Sequence, residues 1–390
     1  MHIVVAGAGR MGAHHAHVFA SLADVSALTI VDVDAGRAQA ICDELRVVDR
    51  GTAAPLTLTA ADDVSAVLGA SGAGVVDGLV IAAATPAHAD LIVAGAAARV
   101  PTLCEKPVAL GRADTERALA AVAAAGTYLQ VGFQRRFDEG FVAARDAIAS
   151  GALGDLHLIR LGTLDPAPPP VEYLRASGGV FRDMHIHDFD SVRFVTGDEV
   201  ATVTAVGAVT VDPAIGDLGD VDTTAVVLTM RSGALVVMSG CRQNPRGYDV
   251  RLEAIGSRDA ITVGLGPRTP LRSADAHGLF AGARDGDGAN DGAHDGPHES
   301  PHESMHGGNS GAGNGWEFFI DRFRDAYRAQ AEAFLAVIAT GAHGGGPAAA
   351  ANRCTGDDGR AALLLAVAAE RSRASGAAVR VEDIAAEVVS

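Results

Sequence analysis

Three places in the chain hold residue types whose spacing supports one kind of chemistry, hydride transfer between an alcohol and a dinucleotide. The first is Gly7-Ala8-Gly9-Arg10-Met11-Gly12, a G-x-G-x-x-G run directly after the apolar stretch Ile3-Val4-Val5-Ala6. In that context the first glycine permits a tight turn, the second lets backbone approach a pyrophosphate, and the third lets a helix pack close to a strand. Backbone N–H groups and the dipole of the helix that follows then favour the phosphates. Asp32 follows Gly12 by 20 residues, at the end of the next apolar stretch. A carboxylate there accepts hydrogen bonds from both adenosine ribose hydroxyls and repels a 2′-phosphate. Val33-Asp34 brings no cation to hold such a phosphate, so NAD is expected over NADP. Dinucleotide binding by Gly7, Gly9, Gly12 and Asp32 is the expectation.

Oxidising an alcohol further requires a base for the hydroxyl proton and a donor that steadies the developing alkoxide. Glu105-Lys106-Pro107 directly follows the buried-strand pattern Pro101–Cys104, so Lys106 emerges at the carboxyl end of a sheet, where ligands bind. The same placement also fits a solvated loop lysine. Gly178-Gly179 leads into a helical pattern on which Asp183 and His187 are i and i+4, hence on one face. There the carboxylate would orient the imidazole and raise its basicity, while His185 points elsewhere. A capping aspartate with an incidental histidine is the bland alternative.

The elements that position these groups fall into two textures. Over the first 125 residues, apolar strand patterns at Ile3–Ala6, Leu28–Val31, Gly78–Ala82 and Pro101–Cys104 alternate with helical ones at 11–22, 37–45, 88–98 and 114–125. That alternation predicts a doubly wound parallel sheet, a Rossmann domain over 1–126. From about Tyr128 onward, β-branched and period-2 runs at 156–161, 200–211, 223–230, 234–239 and 248–255 predict a second α/β domain, 127–390, with a large, mainly antiparallel open sheet. Helices are expected at 137–150, 184–195, 317–338 and 358–375.

Composition narrows the class. The 390 residues carry 31 Lys plus Arg against 48 Asp plus Glu, a net charge of −17, with 48% hydrophobic and 20% charged residues. A sizeable core follows, and an acidic surface argues against nucleic-acid or anionic-membrane partners. Apolar runs stay far short of the roughly 20 residues of a membrane span. Four scattered cysteines form no C-x-x-C pair, which points to thiols in a reducing cytoplasm. Between Arg284 and Gly315, nine glycines and six carboxylates surround His294, His298, His302 and His306. This segment reads as a disordered surface insertion; a metal-gathering histidine tract is the alternative, made difficult by glycine and proline. His14, His15 and His17 are explained by packing and solvation, and no metal is expected.

With these residues in view, the chain resembles the Gfo/Idh/MocA oxidoreductases and, within them, the inositol dehydrogenases. The resemblance rests on the glycine run, Glu105-Lys106-Pro107, Gly132–Asp138, Asp165–Pro170, Gly178–Asp190, Gly219–Thr223, Gly247-Tyr248-Asp249 and Asp357–Leu363. It implies a homotetramer assembled through the open sheet and a cis peptide before Pro107. It further implies NAD-dependent oxidation of myo-inositol at C2. Lys106, Asp183 and His187 would be the catalytic set, with His187 as base, Lys106 on the reacting oxygen, and Asp183 orienting substrate and His187. Arg10, Met11, Glu105 and Lys106 would join the glycines and Asp32 around NAD. Arg136, Asp190 and Tyr248, with the catalytic three, would line the polyol pocket. Leu164, where the relatives carry a basic residue, and Asn244-Pro245-Arg246 depart from the pattern on the expected substrate side. A dehydrogenase of another cyclic polyol or sugar, or a non-catalytic sensor on the same fold, are the competing readings. The intact Lys106, Asp183 and His187 set speaks against the sensor.

Overall fold

The computed structural model describes residues 1–48, 50–51, 54–69, 76–264, 271–273, 316–341 and 353–387. The segment 284–315 with its four histidines therefore lies outside the described residues.

Strands β1 (His2–Ala6), β2 (Ala27–Val31), β3 (Thr57–Ala61), β4 (Gly78–Ile81), β5 (Thr102–Cys104) and β6 (Leu129–Val131) form one parallel sheet in the order β3-β2-β1-β4-β5-β6. Its central strands are apolar without interruption because helices cover both faces: Ile3, Val4, Val5, Leu79, Val80 and Ile81 have no exposure. The strand order reverses between β1 and β4, so a crevice opens at the carboxyl ends of these two strands. β3, Thr-Leu-Thr-Ala-Ala, is an edge strand with half-exposed residues and no apolar run, and the three-residue β6 is too short to signal itself.

The second sheet contains β7 (Leu156–Leu164), β8 (Val200–Ala208), β9 (Thr223–Met230), β10 (Leu235–Cys241), β11 (Asp249–Gly256), β12 (Ala260–Val263), β13 (Leu271–Ser273) and β14 (Val379–Arg380). Their order is β13-β12-β11-β7-β10-β9-β8-β14, antiparallel except where β10 runs beside β7. One face is covered, in part by the helices Glu139–Ala149, His185–Thr196 and Gly356–Ser375. The other is bare among the described residues: along β9 and β10, Val226, Leu228, Val236 and Met238 are buried, whereas Val227, Leu235 and Val237 are exposed. The period of two divides these strands cleanly between core and surface.

One expected helix is broken in two, and the helix expected at 184–195 is found at His185–Thr196, set off by a break from a short helix before it. The 317–338 pattern becomes Phe319–Arg322 and Arg324–Ala339, separated at Phe323. The longer piece then returns to the parallel sheet, where Phe334 and Leu335 share a core with Ile3, Val5, Phe19 and Leu103. The second break, at Met184, separates Val180–Asp183 from His185–Thr196 and bears directly on the chemistry. Among the described residues, no helix is long and apolar enough to cross a membrane.

Candidate active site

The glycine run turns from β1 into the helix Arg10–Ala20, and the crowding explains its residues. A Cβ on Gly12 would lie 1.8 Å from the Gly7 carbonyl oxygen. Gly7 has φ +104°, and a Cβ there would meet Ala82 and Ala83 at 2.6 Å. Gly9 faces open space, with nothing within 4 Å of a Cβ. The helix begins without a side-chain cap or an acidic first turn, leaving its N–H groups available to phosphate oxygens. Asp32 is held at the end of β2, accepting from Ala8 N–H at 2.7 Å and Asp34 N–H at 2.9 Å. Arg10 leans over the Phe318 and Phe319 rings at 4.7 and 5.6 Å, and Met11 packs half-buried below. These residues fit a dinucleotide: an open cradle of backbone amides with a carboxylate at its far rim.

Next to this crevice, β5 is followed by Glu105-Lys106, and the Lys106–Pro107 peptide is cis. Glu105 is buried; one carboxylate oxygen meets His15 Nε2 at 2.7 Å and the other accepts the Lys106 N–H at 3.3 Å. His88 lies within 2.8 Å of the Pro107 carbonyl and 3.0 Å of the Ala83 carbonyl, joining this corner to the loop after β4. Lys106 Nζ donates to the Asp183 carbonyl at 2.7 Å and to Asp183 Oδ1 at 3.1 Å. Tyr173 donates to the same Oδ1 at 2.7 Å, and Arg242 Nη1 donates to Oδ2 at 3.1 Å.

These contacts fix the charges. Burial alone would raise the Asp183 carboxyl, but Lys106 and Arg242, aided by the Tyr173 hydroxyl, hold it down at about 2. Burial would discharge Lys106, yet Asp183 and then Tyr173 and Glu105 keep its pKa above the ordinary lysine value. His187 moves the opposite way: burial, then the Lys106 and Arg135 cations, push its pKa well below 6.5. It is a neutral imidazole against the Phe133 ring at 5.7 Å, with Nδ1 buried and unpartnered among the described residues.

Here the structure corrects the helical expectation. The break at Met184 takes Asp183 off the helix that carries His187, and both Asp183 oxygens are engaged by Lys106, Tyr173 and Arg242. Asp183 therefore makes no hydrogen bond to His187 Nδ1, and the surroundings lower rather than raise the basicity of the imidazole. His185 does turn away, to Asp188 at 2.7 Å and Thr224 at 2.5 Å.

The expected pocket residues divide. Tyr248 is buried, beside the Phe319 and Phe323 rings and Arg135, and burial pushes its hydroxyl up to about 12. Arg136 and Asp190 form a buried two-pronged ion pair at 2.7 and 2.9 Å, and Arg136 also reaches Asp358 at 3.0 Å and the Arg353 carbonyl at 2.5 Å. The structure brings that pair together, but with Asp358 rather than with Lys106. The neighbouring Arg135 instead bonds Asp188 and Thr163 and lies within electrostatic reach of His187.

Leu164 and Arg246 are also relocated. Alternation along β7 buries Thr163 and turns Gly162 and Leu164 to the bare face. There Leu164 lines a hollow of about 350 Å³ with Ser239, Asn244, Arg246, Asp249 and Arg251. It is Asp165, one residue on, that nears the charged cluster, 3.8 Å from Arg242 Nη1. Sequence reasoning missed Tyr173, Arg242 and Arg135 and gave Asp165 no role. The run of charged residues at strand ends, Asp165 after β7 and Arg242 after β10, was the available signal. Among the described residues, no group of three or more His, Cys, Asp or Glu is gathered as for a metal ion.

Residues 1–133 match the model of an oxidoreductase family with an NAD-binding Rossmann fold, and residues 141–262 match the GFO/IDH/MocA C-terminal domain. The chain is 34% identical to the myo-inositol 2-dehydrogenase of Thermotoga maritima, over 98% of this chain and 99% of that protein. It is 35% identical to the inositol 2-dehydrogenase of Rhizobium meliloti, over 94% of each. A myo-inositol dehydrogenase structure from Corynebacterium glutamicum superimposes with a TM-score of 0.76 at 29% identity, covering 97% of this chain and 98% of that one.

Proposed function

This chain belongs to the Gfo/Idh/MocA oxidoreductase family, and from that premise we propose that it oxidises myo-inositol at C2 to 2-keto-myo-inositol with NAD as hydride acceptor. The observation that carries the proposal is Lys106, bonded to Asp183 at 2.7 and 3.1 Å, with the buried His187 close enough to feel its charge and holding an unpartnered Nδ1 among the described residues, next to the dinucleotide cradle.

NAD, when bound, supplies the nicotinamide carbon that accepts a hydride. The glycine loop and the uncapped helix would hold its phosphates, and Asp32 its adenosine ribose. Val33 and Asp34 beside Asp32 add no cation, which favours NAD over NADP. On the substrate side, an ammonium has three N–H donors, and Asp183 takes two of those on Lys106. No acceptor among the described residues takes the third, which can meet the reacting hydroxyl and steady negative charge as it develops on that oxygen. A neutral His187 has an unprotonated nitrogen that accepts the hydroxyl proton. Its low pKa keeps that nitrogen available well into the acid range. Asp183 acts on the lysine rather than on the histidine, keeping it charged and fixing its reach. The named inositol 2-dehydrogenase relatives support the substrate. The bare sheet face, with Val206, Val227, Leu235 and Val237 exposed, supports assembly as a homotetramer.

Initial rates of NADH or NADPH formation with myo-inositol, scyllo-inositol and glucose test the proposal. Preference for myo-inositol with NAD is the expected result. Preference for another polyol would overturn the substrate while keeping the chemistry; NAD binding without turnover on any of them would overturn the dehydrogenase reading.

A further inference from the structure

Arg242 stands one residue beyond β10 with 1% exposure, its backbone N–H donating to the Asp222 carbonyl at 2.9 Å. Asp222 is itself tied down, accepting from the N–H groups of Thr210, Val211 and Asp212 at 2.8 to 3.0 Å and from the Thr223 hydroxyl at 3.0 Å. The Gly219–Thr223 segment thus fixes the point at which Arg242 leaves the sheet. From there Nη1 reaches Asp183 Oδ2 at 3.1 Å and approaches Asp165 at 3.8 Å. Nε and Nη2 are buried with no partner among the described residues. Unused buried donors are costly, and an apolar side chain would fill the space without that cost. What the position supplies is charge: without Arg242, Lys106 would be the one ion-pair partner left to Asp183 among the described residues, with the Asp165 carboxylate close by.

We propose that Arg242 is a positioning residue for the dehydrogenase reaction, neutralising Asp183 through its second oxygen so that Lys106 keeps one N–H free for substrate. This rests on the reading of Lys106 as the donor to the reacting oxygen. The groups facing Asp183 are Lys106, Tyr173, Arg242 and Asp165; those facing Asp165 are Arg242, Asp183, Lys106, Arg135 and Tyr248. Removing the guanidinium makes both carboxyls harder to ionise, and their titration moves upward.

The test compares Arg242→Gln, which removes the charge, with Arg242→Lys, which keeps it. Arg242→Gln should lose about 10- to 100-fold in kcat, the loss that removing one hydrogen bond to a charged group corresponds to. KM for NAD should stay near that of the parent, and the acid limb of the kcat profile, where Asp183 must stay ionised to hold Lys106, should move upward. Arg242→Lys should recover most of the loss. In the ligand-free protein, the Tm deficit of Arg242→Gln should grow between about pH 4 and pH 8 as uncompensated carboxylates ionise. A deficit of constant size, an unmoved acid limb, or equal damage in Arg242→Lys would overturn the proposal. If Arg242→Gln does not fold, the acid limb of Arg242→Lys decides: coincidence with the parent supports the role of charge, and displacement overturns it. If the parent turns over no polyol, the functional reading fails separately, and the Tm comparison still decides whether Arg242 acts through charge.

Discussion

Replacing Asp165 by asparagine should stabilise this protein, by an amount that depends on pH. Burial dominates at Asp165 and outweighs Arg242, so its carboxyl is pushed up from 3.8 to about 6. A gap of about two units, at about 1.4 kcal/mol each, makes ionised Asp165 cost the fold about 3 kcal/mol. Because the folded-state pKa is raised, the proton is held more tightly by the native protein. Below about pH 4 both states are protonated and the carboxyl costs nothing. As pH rises through 6 the native carboxyl ionises, and the full cost is present by about pH 8. Asparagine never ionises, so Asp165→Asn should match the parent near pH 4 and exceed it by about 3 kcal/mol near pH 8. Denaturant unfolding of both proteins in a pH series measures the difference directly. A gap that does not change with pH, or a less stable variant at pH 8, would refute the reasoning, since either would mean that Arg242 and Lys106 fully compensate the buried charge.

Further outcomes follow from the same geometry. His187→Ala should lower kcat by about 10²- to 10⁴-fold, with NAD affinity in a fluorescence titration little changed. Asp32→Ala should reduce the ratio of NAD to NADP turnover; an unaltered ratio would remove Asp32 from the ribose site. Gly12→Ala places a Cβ 1.8 Å from the Gly7 oxygen, so the loop must shift, and NAD binding by calorimetry should be lost or severely weakened. Arg136→Met strands the buried Asp190 carboxylate and should cost about 3–5 kcal/mol in equilibrium unfolding.

Much of this architecture could be read directly from residue order. The parallel strands announce themselves because burial on both faces demands unbroken apolar runs, as at Ile3–Ala6 and Leu79–Ile81. β3 escapes because an edge strand tolerates threonines, and the helix Val171–Ser177 because a proline run precedes it. Lys106 was legible from its place after a buried strand, and Asp183 and His187 from their glycine-led approach. Their mutual geometry was not, because a one-residue break at Met184 changes which partners each can reach. Arg242, Tyr173 and Asp165 were hidden for a related reason. Each meets Asp183 from a different element, and an ion pair between residues 59 positions apart leaves no local pattern. The choice of Arg136 over Arg135 shows the same limit: adjacent arginines in a short turn point to opposite partners, Asp190 and Asp188.

The helix Arg324–Ala339 ties the two sheets together. Its Phe334 and Leu335 complete the core of the first sheet, although the intervening chain has already built most of the second. A fragment ending after β6 would carry the whole nucleotide loop yet lack Phe334, whose ring meets Phe19 and Tyr128 in that core. The halves are therefore interleaved along the chain, and nascent protein leaving the ribosome cannot seal its first core until residue 335 has emerged. Gene fusion or fragment exchange that cuts after the sixth strand would divide a core, whereas an exchange carrying 324–339 along with the first sheet would keep it whole.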